Sequence, residues 1–165
     1  MIPLNNNLLR LKRSGIRHFS NLAKTVPGCV MLTLGEPDFD TPEEIKAAAL
    51  TSLFQNRTHY AANQGVEALR QEIAAFETIR GLPREASQVL VTAGASEALY
   101  TAITGILNPG DEVIIPVPSF VCYGPLAEMT GAKAVYVELK VENEFRLTAE
   151  ELKAAITPKT KFPPQ

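Results

Sequence analysis

The segment from Val89 to Pro116 narrows the available folds more than any other part of the chain. Val89-Leu90-Val91-Thr92 reads as a short strand, Ala95 to Leu107 as a mostly apolar helix, Asn108-Pro109-Gly110-Asp111 as a turn, and Glu112 to Pro116 as a second strand. Strands joined through a helix pair in parallel, and strands with little polar alternation are covered on both faces. The step then recurs: a helix from about Phe120 to Met129 ends at Gly131, and Lys133 to Leu139 alternates as a strand should. The expected class is therefore α/β with a mainly parallel sheet.

The flanking segments fit that layering. Leu8 to Lys24 is a first helix candidate, and Val30 to Leu34 a short extended run that stops at Gly35. Thr41, Pro42 and Glu44 have the spacing of a capping box ahead of a helix through Ile45 to Phe54. Val66, Leu69, Ile73 and Phe76 recur at helical spacing until Gly81 and Pro83, and the polar stretch Arg57 to Gly65 connects the two helices. A second capping box, Thr148 with Glu151, opens a helix over about Ala149 to Ile156 that stops before Pro158. Pro163 and Pro164 bar Phe162 to Gln165 from a central strand, so the sheet is expected to be unfinished where the sequence stops.

Composition excludes several function classes. At 165 residues and 45% hydrophobic content, the chain can build one apolar core. Sixteen basic against eighteen acidic residues leave a net charge of -2, which offers no basic excess for nucleic acid. Cys29 and Cys122 stand far apart without C-x-x-C spacing or a nearby histidine, so neither a disulfide framework nor a metal site is expected. No apolar run is long enough to span a membrane and the N-terminus lacks signal-peptide order, which favours the cytoplasm.

Three segments could carry chemistry. Ala93-Gly94-Ala95-Ser96 places small residues and backbone N–H groups at a helix N-terminus; this is either an anion site or simply a tight strand-to-helix turn. Gly35-Glu36-Pro37-Asp38-Phe39 is either a stiff surface loop or one whose Gly35 N–H faces a ligand. Pro116 to Phe120 follows a strand at the carboxyl edge of the sheet, where ligands gather in such folds, and Phe120 either covers a planar ligand or packs in the core. His18 and His59 have no partner in view and default to surface or capping roles.

In this order the segments resemble the fold-type I pyridoxal-phosphate aminotransferases of class I/II, of the aspartate or N-acetyl-diaminopimelate aminotransferase kind. The resemblance is carried by Leu34 to Pro42, by Tyr60 with Gly65 and Leu69-Arg70, by Val91 to Leu99, and by Pro109 to Val113 leading to Pro116 to Tyr123, with Ser14-Gly15-Ile16-Arg17 like the start of these enzymes. It implies an incomplete three-layer sandwich, with residues 1–40 an N-terminal helix and segment and residues 41–165 the first part of the cofactor-binding large domain. It also implies pyridoxal 5'-phosphate as cofactor, with Gly94, Ala95 and Ser96 at its phosphate, Phe120 on its pyridine ring and Gly35 at the substrate carboxylate. Tyr60 matches a tyrosine that reaches the phosphate of the neighbouring subunit, so a homodimer acting on an amino acid and a 2-oxo acid is implied.

Pyridoxal chemistry also needs a lysine to carry the cofactor and an acid to keep its ring nitrogen protonated. In the family these, and a substrate-binding arginine, come from later in a longer chain. None of Lys133, Lys140, Lys153, Lys159 and Lys161 matches that lysine; they read as surface charges. The expectation is a family aminotransferase with no catalytic residue within these 165 positions, inactive on its own. The alternatives are a C–S β-lyase of the same fold and a non-catalytic binding or interaction module associating through its sheet edge.

Overall fold

The computed structural model describes residues 2–11 and 15–161. In chain order the helices are α1 (Asn6–Arg10), α2 (Gly15–Ala23), α3 (Glu43–Phe54), α4 (Glu67–Ile79), α5 (Ala95–Ile106), α6 (Tyr123–Met129) and α7 (Ala149–Ala155). The strands are β1 (Glu112–Val117) and β2 (Lys133–Glu138), and short 3-10 turns occupy Ala86–Gln88 and Val141–Asn143. The chain divides into two compact units, Gly15–Thr92 and Met1–Ser14 with Ala93–Gln165.

The unit that contains both strands is built on the expected step. β1 and β2 pair in parallel, in register from Glu112 opposite Lys133 to Val117 opposite Glu138. A parallel bridge between Glu112 and Thr160 adds a neighbour on the other side of β1, so β1 lies inside the ladder at that residue. The parallel sheet and the α/β class agree with the sequence pattern. Phe162 to Gln165, whose prolines argue against a central strand, lie outside the described residues. Leu107, Ala127 and Ala132 form the buried cluster, with Ile103 and Val113 packed on it, so α5 and α6 cover the same part of β1. α6 approaches β2 closely at Gly124, where a Cβ would collide with the Tyr136 hydroxyl.

In the unit Gly15–Thr92, α2 is tied to the following segment by a 2.7 Å hydrogen bond between the hydroxyls of buried Ser20 and Thr33. The expected strands at Val30–Leu34 and Val89–Thr92 join no ladder among the described residues, and the chain bends at Thr33 and Leu34. Val30 and Leu32 are exposed, and Val91 instead donates its N–H to the Gln64 carbonyl at 3.0 Å. The helix expected over Leu8 to Lys24 is two helices, α1 and α2, with Lys12 to Ser14 outside the described residues. The Thr41 capping box is also corrected: α3 begins after Pro42, whose position takes the cap without a side-chain bond. Glu43 and Glu44 still place negative charge in that first turn. The Thr148 box is present as expected, with the Thr148 hydroxyl accepting the Glu151 N–H at 3.2 Å and the Glu151 carboxylate accepting the Thr148 N–H at 3.1 Å. No helix among the described residues is long and apolar enough to cross a membrane.

Candidate functional site

The turn into α5 gathers three of the expected residues. Gly94 is the N-cap residue with φ 90°, a backbone conformation that side chains disfavour, and nothing lies within 4 Å of where its Cβ would be. Ala95 and Ser96 follow in the first helical turn, where backbone N–H groups have no partner inside the helix. The twelve residues of α5 therefore point the positive end of a helix dipole toward the space left open beside Gly94. That arrangement suits a phosphate or carboxylate.

Glu97 takes part in a way that sequence reading missed. Its carboxylate accepts the Ala93 N–H at 2.5 Å, reaching back over the turn. The signal was available: Glu97 stands three residues after the cap, the spacing of a capping box. The bond shapes the turn from the Ala93 side.

Phe120 belongs to the same compact unit, just beyond the carboxyl end of β1 and after the cis Val117–Pro118 bond. Its ring is half exposed and meets Tyr123 edge to face, with centroids 5.7 Å apart and planes at 78°. The residue is thus left partly uncovered. An apolar cavity of about 250 Å³ lies nearby, lined by Ile103, Leu107, Val113, Ile115, Tyr123 and Ala127. It holds no charged group and belongs to the packing of α5 and α6 against β1.

Gly35 and Tyr60 lie in the other unit. Gly35 is in an open segment with nothing within 4 Å of its Cβ position, and Tyr60 is fully exposed in the connection between α3 and α4. That connection is anchored at its far end: Gly65 has φ 99°, and a Cβ there would sit 2.7 Å from the Val91 Cβ. The lysines lie on the surface. Lys133, Lys140 and Lys161 pair with Glu112, Glu151 and Asp111 at 3.1, 3.3 and 3.6 Å. His18 packs edge to face on Phe19, and no group of three or more metal-ligating side chains occurs among the described residues.

Comparison with known proteins bears on this arrangement. The family model described as aminotransferase class I and II matches residues 27–162. An aspartate/prephenate aminotransferase of Cereibacter sphaeroides is 42% identical over 98% of this chain and 42% of its own length. An arginine–pyruvate transaminase of Pseudomonas aeruginosa is 46% identical over 87% of this chain and 37% of its own. Among solved structures, a Thermus thermophilus aspartate aminotransferase with maleate superposes with a TM-score of 0.89 at 36% identity, over 97% of this chain and 43% of that one. The chain thus spans well under half the length of the relatives it matches.

Proposed function

Because the chain belongs to the class I and II aminotransferase family, we propose that the whole protein moves an amino group between an amino acid and a 2-oxo acid with pyridoxal 5'-phosphate as cofactor. The observation that carries this reading is the 42% identity along nearly the entire chain to an aspartate/prephenate aminotransferase. The names of the relatives favour amino transfer over C–S cleavage. Residues 41–165 are read as the first part of the fold-type I large domain and residues 1–40 as the segment preceding it. The working protein is a cytoplasmic homodimer.

The residues present fit the cofactor. Bound pyridoxal phosphate supplies an electron sink for the carbon that exchanges its amino group. The Ala95 and Ser96 N–H groups and the Ser96 hydroxyl donate to the phosphate, and Gly94, lacking a side chain, lets it come close. Phe120 lays its ring on the pyridine ring and keeps water from that side. Gly35 donates its N–H to the substrate carboxylate. The exposed Tyr60 hydroxyl donates to the phosphate held by the neighbouring subunit.

No catalytic residue is assigned within these 165 positions. Three of the five lysines considered pair with the carboxylates of Glu112, Glu151 and Asp111, and none is assigned the family's lysine role. The test is to supply pyridoxal phosphate, an amino donor and 2-oxoglutarate to the natural gene product and, separately, to the 165-residue chain. Transfer by the first and none by the second is expected. Turnover by the 165-residue chain overturns the inactivity, and release of pyruvate and ammonia from cystathionine without amino transfer overturns the assignment.

A further inference from the structure

Arg70, on α4, reaches out of its helix to hold two other segments of the unit Gly15–Thr92. Its Nη1 donates to the Gln64 side-chain oxygen at 2.9 Å and to the Ala86 carbonyl at 3.0 Å, one N–H to each. To do so it leaves its buried Nε–H without a partner. Such a donor is retained only when the geometry on the other side of the guanidinium compensates. Gln64 in turn accepts the Val91 N–H on its own carbonyl, and Gly65 presses its backbone against the Val91 side chain. The loop that carries Tyr60 is therefore locked onto the 89–91 segment four residues after the tyrosine, and Arg70 is the only charged side chain in that lock among the described residues.

We propose that Arg70 is a positioning residue for cofactor binding: it touches neither cofactor nor substrate, and through Gln64 it fixes the loop that presents Tyr60 to the neighbouring subunit's phosphate. The inference rests on the pyridoxal phosphate reading above. A loop displaced by a fraction of an ångström weakens the bond to the phosphate and leaves contacts to the pyridine ring alone. Both bonds leave one nitrogen, so a lysine ammonium can offer the same two donors but without the planar group that fixes their directions.

The test uses the full natural protein stripped of cofactor and titrated by absorbance with pyridoxal phosphate and, separately, with pyridoxal, which lacks the phosphate. Arg70→Met and Gln64→Leu should each raise the Kd for pyridoxal phosphate about ten-fold and leave that for pyridoxal within about two-fold, with the double variant no weaker than either single. Arg70→Lys should fall between. Glu112→Gln, in the other unit, should lower thermal stability without changing the ratio of the two affinities. Equal weakening toward both ligands, or none, overturns the proposal. If Arg70→Met does not fold, Gln64→Leu, which keeps Arg70 and its bond to Ala86, reads the same ratio, and an unchanged ratio overturns it equally. A parent protein that binds no pyridoxal phosphate overturns the cofactor reading and this inference with it, whereas a parent and an Arg70→Met variant that bind equally well overturn this inference alone.

Discussion

At Glu112 three segments of chain meet on one side chain and its backbone. The carboxylate accepts the Thr157 hydroxyl at 2.7 Å and the Lys133 ammonium at 3.1 Å, and the backbone N–H and carbonyl bond to Lys159 and Lys161 at 2.8 Å each. The Thr157 hydrogen bond first, and then that of Lys133, hold the carboxyl below its ordinary value. Asp111 is lowered in the same sense, first by the Asn108 N–H, and Glu151 by the Thr148 N–H. Groups lowered on folding contribute stability above their unfolded values, and that stability is lost as pH falls through the folded ones. Melting temperatures measured from pH 7 down to pH 3 should therefore show Glu112→Gln less stable than the parent at neutrality, with the gap closing in acid; an equal gap throughout would contradict the account. Nothing in the sequence marks Glu112, because its partners lie 21 and 45 residues away and long-range pairing leaves no local pattern. The Gly94 turn was legible for the opposite reason: its small residues lead directly into the helix.

At the scale of elements, the two capping-box sequences behave differently, and substitution separates them. Thr148→Ala should cost about 1 kcal/mol, since the hydroxyl is bonded to the Glu151 N–H. Thr41→Ala should stay within about 0.5 kcal/mol, because α3 starts at Glu43 with no side-chain cap. Chemical denaturation of both variants checks the contrast, and equal losses would sink it. The sequence could not separate these cases: both have the right residue types, but Pro42, compatible with a first helical position, serves as the cap instead. Helix periodicity was legible at α4, whereas α3 was read from the residues at its start and α5 from a mostly apolar run. The runs at Val30–Leu34 and Val89–Thr92 were read as strands, and their lack of ladder partners among the described residues was not foreseen, since β-propensity is silent about what lies alongside.

Across the whole molecule, large apolar side chains remain uncovered in both units. Leu32, Phe39 and Tyr60 in one and Phe120, Tyr136 and Phe145 in the other are about half exposed or more, and no large described side chain is completely buried. Surfaces of this kind bind other surfaces. The 165-residue chain by itself should therefore bind an apolar fluorescent dye and show a sedimentation mass that rises with concentration. A single 17.9 kDa species without dye binding would contradict this. The parallel sheet has a further consequence, for the sequence of events in folding. β2 returns to β1 across a gap of 21 residues at Lys133, so that closure is a short-range event that can finish early. The bridge from Thr160 arrives on the opposite edge only after another stretch of chain has been made. During synthesis, then, β1 and β2 can zip together over α6 while the outer edge of Glu112 still waits, and the segment around Thr160 docks onto a template already in place.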